Sequence, residues 1–297
     1  MLKIVENKKW WFILSSTIII MGIIFACVRG INTSIDFVGG TKIQIDMAGS
    51  QFTSEDVTPI INKYAAANSY TIQQAQQDNN SKSIEMDINA KVNAIKAEDA
   101  TNIVNDLKTK YKTDIKVISL QSIGPTIGSE LKSKALWSLG IAIVLMLIFI
   151  GFRFEIKYGA AAVLALVHDV LITLSVYFIF HLPMNSNFIA AILTIIGYSM
   201  NDTIVIFDRI RENQKGMRRS DLTQIADISL SQTIRRSIYT VSTTLITTTA
   251  VYICVPAVRD FALPLIVGIA SGCYSSIFIA SPFYVILKNG FKKKAVA

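Results

Sequence analysis

Asp202 stands in the run NFIAAILTIIGYSMNDTIVIF, from Asn187 to Phe207, where a lone carboxylate surrounded by lipid would cost several kcal/mol. Acids persist in such helices when they bind a transported ion, relay a proton or pair with a structural charge, and those three chemistries frame the reading. The same run carries Ser199, Asn201, Thr203 and Asp208 toward one end. Ser199 and Asp202 share a helical face, as do Asn201 and Asp208. A second apolar run holds the adjacent pair His168 and Asp169, and imidazole exchanges protons near neutral pH. A proton relay and a histidine bonded to a neighbouring helix are equally good readings of that pair. A third run opens with Arg235 and Arg236 and continues with Ser237, Thr240, Thr243, Thr244, Thr247 and Thr248, a hydroxyl stripe suited to face the carboxylates. Hydroxyls of this kind also bond their own preceding carbonyls or serve as close-packing surface.

Such residues need a membrane to matter, and the composition provides for one. Of 297 residues 52% are hydrophobic and 17% charged, and the apolar residues gather into long runs. Six runs are close to the roughly 20 residues of a membrane span: Trp10–Val28, Ala135–Phe152, Tyr158–Phe180, Asn187–Phe207, Ile238–Val255 and Phe261–Leu287. More than half of the 29 Lys and Arg flank these runs on one side: Lys3, Lys8 and Lys9; Arg153 and Lys157; the 209–236 loop; and Lys288 with Lys292 to Lys294. Residues 29–134 carry as many acids as bases. By the positive-inside rule both termini are cytoplasmic and 29–134 is extracytoplasmic. The net charge of +8 is then explained by topology and anionic lipid, with no nucleic-acid partner.

The expected domains are 1–28 (cytoplasmic N-terminus and first helix), 29–134 (external), 135–287 (helices two to six, with the basic cytoplasmic loop 209–236) and 288–297 (basic cytoplasmic tail). The first run is read as an uncleaved anchor, since it is long enough to span and lacks a clear A-x-A site. Cys27, Cys254 and Cys273 lie in or beside spans, so they form no disulfide framework.

Within 29–134, residues 41–47 alternate as a strand, Ser54 can cap a helix to about Ala67, and Tyr70–Gln76 and Lys82–Ile88 read as strands around a turn at 78–81. Glu98–Lys112 reads as a second helix and Asp114–Ile123 as a last strand. The order βαββαβ fits a ferredoxin-like α+β module. This segment has no His or Cys and no metal-ligand spacing, which favours a binding or lever role over catalysis. At its entry IDFVGGT places Asp36 before Gly39 and Gly40, a pair suited to a sharp turn or a close backbone approach. In the last run Gly268, Gly272 and Ser276 follow a small-xxx-small pattern for tight helix contact.

Taken together, IDFVGGT (35–41), HDVLIT (168–173), LTIIGYSMNDTIVIFDRIREN (193–213), SLSQTIRRS (229–237) and FALPLIVGIASGCYSSIFIASP (261–282) resemble the SecD/SecF family, on its SecF side, within the RND superfamily. The resemblance runs nearly end to end and implies half of an RND-type fold, six helices with one external domain, in the bacterial cytoplasmic membrane. It implies a SecD-like partner and a non-enzymatic role: the ion gradient assists a secreted polypeptide through the SecYEG channel after SecA has inserted it, with YajC a further partner. The family's coupling residues map onto Asp202, Asp208 and Arg236, with His168 and Asp169 as further candidates and Asp36, Gly39, Gly40 and Asn201 as motif residues. No cofactor or metal is implied beyond H⁺ or Na⁺ as coupling ion. Arg235 stands where the family has a small polar residue, so either arginine is a candidate partner for the carboxylates. A small-molecule or lipid exporter and a passive assembly factor remain the alternatives.

Overall fold

The structure is a computed structural model and describes residues 3–66, 69–76, 84–90, 95, 97–217, 221–255 and 258–294. The turn read at 78–81, Arg218 and Arg219 lie outside these residues. Six helices are long and apolar enough to cross a membrane, so the chain is a multi-pass membrane protein. They are α1 (Lys8–Arg29), α5 (Pro125–Arg153), α6 (Ile156–Ile179), α7 (Ser186–Gly216), α8 (Leu222–Cys254) and a last span built from α9 (Arg259–Ser275), a π-helical turn (Ser276–Ala280) and α10 (Ser281–Lys294). Between α1 and α5 lie α2 (Ile35–Val38), β1 (Gly40–Asp46), α3 (Ser54–Ile61), β2 (Tyr70–Gln76), β3 (Ile84–Ala90), α4 (Ala97–Tyr111) and β4 (Lys116–Ile123).

The four strands form one antiparallel sheet in the order β2-β3-β1-β4. Ile43, Ile45 and Ile88 point from it into a core closed by Val57 and Ile61 of α3 and by Ile103 and Leu107 of α4, all fully buried. The helix after β1 starts one residue earlier than Ser54 suggests: Thr53 is the cap. Its hydroxyl accepts from the Asp56 amide (3.3 Å), while the Asp56 carboxylate accepts from the Thr53 amide (3.1 Å), a reciprocal box that satisfies two amides left open at the helix start. The helix ends at Ile61, short of Ala67.

Replacing Thr53 by Ala is expected to cost about 1 kcal/mol locally, read as faster hydrogen exchange of the α3 amides in the full-length chain. Bonds from Thr53 also hold the Asp56 carboxyl below the usual carboxylate range. A depressed folded value means the contribution is present above the ordinary carboxylate pKa and fades as pH falls, so the effect of Thr53→Ala should shrink in acid.

The densest helix packing joins α7 to α9 and depends on missing side chains. A Cβ on Gly268 would lie 2.2 Å from Ile195 Cδ1, and one on Gly272 would lie 3.0 Å from Ser199 Cβ, so the small-residue pattern seats α9 directly on α7. Toward the end away from the sheet, Tyr158, Phe207 and Tyr284 pack together, with the Tyr158 and Tyr284 rings stacked at 3.9 Å. By contrast α5 and α8 turn large apolar side chains outward, among them Trp137, Phe152, Tyr239 and Ile246, as helices facing lipid or another chain do.

Residues 209–236, expected as a loop, are helical up to Gly216 and again from Leu222. Cross-links make the difference: Arg209 Nε donates to Gln232 (2.6 Å), and Asn213 Nδ2 donates to Ser229 (2.8 Å) and to Gln232 (2.9 Å), so α7 and α8 continue past the apolar run as a bonded hairpin. Likewise α5 starts at Pro125, ten residues before the apolar stretch, because proline suits a first helical turn.

Candidate functional site

Asp202 sits on α7 where α8 crosses it. Ser237 donates to its Oδ1 at 2.5 Å, while Oδ2 is buried and has no protein hydrogen-bond partner among the described residues. A buried acceptor left open is costly, so this oxygen is where a proton or cation would bind with most gain. Arg236 lies close enough to attract the carboxylate, yet among the described residues neither Arg235 nor Arg236 forms an ion pair with it, and both are exposed. The expected carboxylate–arginine contact is therefore absent in this conformation, and Ser237 takes its place because it is buried one position further along α8.

The hydroxyl stripe behind Ser237 does not face the carboxylates as expected. Thr240, Thr244, Thr247 and Thr248 donate to the carbonyls four residues back and Thr243 to the one three back, so the stripe bonds its own helix. Asn201 is exposed on α7. Asp208 pairs across helices with Arg153 of α5 at 2.6 Å, while its neighbour Arg209 bonds Glu212 and Gln232.

His168 and Asp169 converge after all, despite pointing different ways on an ideal helix: His168 Nδ1 lies 3.0 Å from Asp169 Oδ1. Asp169 is fully buried and also accepts from Ser271 (2.8 Å, Oδ1), Ser199 (2.6 Å, Oδ2) and Ser275 (2.7 Å, Oδ2). Thus Ser199, which shares a face with Asp202, serves Asp169 instead. Next to it Thr203 meets Ser276 at 2.7 Å, and Ser276 begins the π-helical turn, stabilised where Ser281 donates to the Ser276 carbonyl at 3.1 Å. π-Turns concentrate at functional positions.

Three residues escaped the sequence reading. Ser15 of α1 contacts His168 Nε2 at 2.8 Å. Asp227 of α8 accepts from the amides of Ile4 (3.1 Å) and Val5 (3.0 Å) and so pins the start of the chain beneath the bundle. Gln214 donates to Tyr158 (3.1 Å) and Tyr284 (2.9 Å) and accepts from Lys288 (3.0 Å), joining α6, α7 and α10. Serine, glutamine and acids in polar stretches are too common for any of these to stand out in one sequence.

At the opposite end the IDFVGGT segment fastens the sheet module to the bundle. Asp36 accepts from the Ser186 amide (2.9 Å) and also from the Ser186 hydroxyl, at the first turn of α7 where exposed amides favour an anion. Gly39 and Gly40 have φ of 76° and 144°, and a Cβ on Gly128 of α5 would lie 2.9 Å from the Gly39 nitrogen, so the turn and the close approach are both real. Replacing Asp36 by Ala should speed hydrogen exchange of the Ser186–Phe188 amides about tenfold or more, the loss expected for a charge-assisted contact.

Six spans with Asp169 buried and Asp202 half-buried among them, and a sheet module clamped to the head of the helix that bears Asp202, define a multi-pass membrane protein with polar groups between its helices. Residues 103–290 match the family model for the C-terminal part of the protein export membrane proteins SecD and SecF, and the chain belongs to this SecD/SecF family. It is 35% identical to the protein translocase subunit SecF of Sebaldella termitidis, over 98% of this chain and 93% of the relative. It is 33% identical to the protein translocase subunit SecDF of Bacillus subtilis, over 97% of this chain and 38% of that longer protein. The structure resembles crystalline SecDF, a translocon-associated membrane protein from Thermus, with a TM-score of 0.85 and 30% identity, covering 96% of this chain and 38% of that one.

Proposed function

We propose that the chain is the SecF-type subunit of a Sec translocase accessory complex, which uses a transmembrane ion gradient to help secreted polypeptides through a SecYEG-type channel. Support for the accessory role comes from family membership and near full-length similarity to SecF subunits. Because a single SecDF chain contains a region matching all but a few per cent of this one, a SecD-type subunit is the natural companion. The outward apolar faces of α5 and α8 are surfaces such a companion could cover. SecA and YajC remain further proposed contacts. Orientation follows the basic flanks: bacterial cytoplasmic membrane, both termini inside, 29–134 outside.

The observation that carries the coupling reading is the open Oδ2 of Asp202. Asp202 takes up H⁺ or Na⁺ there. Arg236, which among the described residues forms no ion pair with Asp202 in this conformation, swings in to balance the carboxylate when the ion leaves. The two states demand different packing of α7 against α8, and Asp36 at the head of α7 passes that movement to the external module. Its βαββαβ order and antiparallel β2-β3-β1-β4 sheet support a ferredoxin-like reading, a compact lever to hold an emerging polypeptide. The test is secretion by membrane vesicles carrying the complex, with Na⁺ and H⁺ gradients imposed separately. Stimulation by neither gradient would leave the passive-assembly reading, which the fully bonded Asp169 and the Asp208–Arg153 pair would then fit.

A further inference from the structure

The bonds around His168 form a chain with defined donors. Tyr274 Oη gives its one proton to the Trp11 carbonyl (2.9 Å), so toward Ser15 Oγ, 3.3 Å away, it can only accept. Ser15 has one proton and two neighbours able to take it, Tyr274 Oη and His168 Nε2 (2.8 Å). On the other side of the ring, Nδ1 faces Asp169 Oδ1 at 3.0 Å. Two arrangements satisfy this geometry. In one, His168 is neutral with its proton on Nδ1, donates to Asp169, and receives the Ser15 proton at Nε2. In the other, both ring nitrogens carry protons, Nε2–H donates to Ser15, and the Ser15 hydroxyl turns to Tyr274. They differ by one proton and one hydroxyl rotation, with no movement of heavy atoms.

We infer that His168, Asp169 and Ser15 form a proton-binding site separate from Asp202 and closed to Na⁺. Asp169 offers about four lone-pair positions, and His168, Ser199, Ser271 and Ser275 occupy them, leaving no oxygen for a metal cation. Asp202, with its open oxygen, differs on this point. Burial supplies the driving force: His168 is 7% and Asp169 0% exposed, and a proton on the ring turns an enclosed single negative charge into a neutral pair. The groups facing the pair are Ser15 from α1, Ser199 from α7 with Asp202 one turn beyond it, and Ser271, Ser275 and Tyr274 from α9, the last stacked on the imidazole at 5.9 Å. Apart from the pair itself, Asp202 and the Tyr274 phenol are the titratable groups in that set. Since the Ser15 hydroxyl then donates to Tyr274 while still accepting from His168, proton uptake adds a second α1–α9 bond beside that of Tyr274 to the Trp11 carbonyl.

This deepens the coupling reading, which needs only Asp202, and the two can fail independently. The chain has two histidines, His168 and His181. Ring-¹⁵N NMR of the full-length chain carrying His181→Asn, in lipid nanodiscs, therefore reads His168 alone. Expected is a change from an Nδ1–H neutral ring to a doubly protonated ring as pH is lowered over the window in which the fold holds, unchanged when Na⁺ is replaced by K⁺ and preserved in Asp202→Asn. Asp169→Asn should remove the change from that window. Ser15→Ala should shift its midpoint, while Thr17→Ala, whose hydroxyl bonds the Ile13 carbonyl on its own helix, should leave it in place. A ring that holds one protonation state throughout, or a midpoint that moves with Na⁺, would overturn the inference whatever vesicle secretion shows.

Discussion

Asp202→Asn should abolish the part of secretion that depends on the ion gradient while leaving the chain folded and in its complex. Asparagine keeps the size of the side chain and can still accept from Ser237, so the local packing of α7 on α8 survives. What disappears is an oxygen whose charge changes on ion uptake. One elementary charge moved across 100 mV is worth about 2.3 kcal/mol, roughly a fiftyfold bias on a two-state equilibrium. Without a charge-carrying site that bias has nothing to act on. Vesicles containing the variant should export at the rate of the native protein with its gradient dissipated. Full stimulation in the variant would remove Asp202 from the mechanism. Ser237→Ala, which removes one bond and keeps the carboxylate, should reduce stimulation only in part.

The second large effect is structural, and a single methyl group should produce it. Gly22 of α1 is buried against α6, where an added Cβ would lie 2.4 Å from Ser175 Cβ and 2.5 Å from Ser175 Cα. A side-chain atom could turn aside, but a helix backbone cannot, so Gly22→Ala must push α1 away from α6. Overpacking of this kind costs about 1–3 kcal/mol and sometimes more. Unfolding of the purified protein followed by tryptophan emission should report it directly, because Trp10 and Trp11 sit on α1 and Trp11 packs 4.2 Å from the Phe278 ring. Ser175→Gly should rescue the variant only partly, since the backbone contact remains. Ser15 lies seven residues before Gly22 and so on the same face of α1. The displaced helix should therefore also lose the Ser15–His168 contact, and the His168 ring signals should change with it. Native stability and unchanged emission in Gly22→Ala would mean that α1 does not seat as described.

Both predictions rest on residues of different legibility. Asp202 was visible at once, since an acid inside an apolar run is costly wherever the helix ends up. Gly22 was not, because a glycine in a spanning helix looks the same whether it faces lipid or another backbone. The small-residue spacing of Gly268 and Gly272 was readable because a repeat at four residues marks a face, and α9 does pack on α7 through it. The hydroxyl stripe of α8 was readable in the same way, but not how it divides: its first member Ser237 meets Asp202 while its threonines bond their own carbonyls, because periodicity carries no information on what lies opposite. Asp208 likewise found Arg153, 55 positions away in the chain, in preference to its neighbour Arg209.

By itself, then, the sequence determined the membrane class, the six spans, the succession of strands and helices from β1 to β4, and which acids stand inside apolar runs, but not the short helix α2 at Ile35–Val38. Those properties follow from local hydropathy, periodicity and the cost of burying charge, all of which act over one helix or less. Only the tertiary structure decided how the acids are satisfied: Asp169 closed by four donors from three helices, Asp202 held by one serine with an oxygen to spare, and Asp36 set on the head of α7. A hydrogen bond acts over about 3 Å, so whether a carboxylate is locked or free to bind an ion depends on which distant side chains the packing of whole helices brings within that reach.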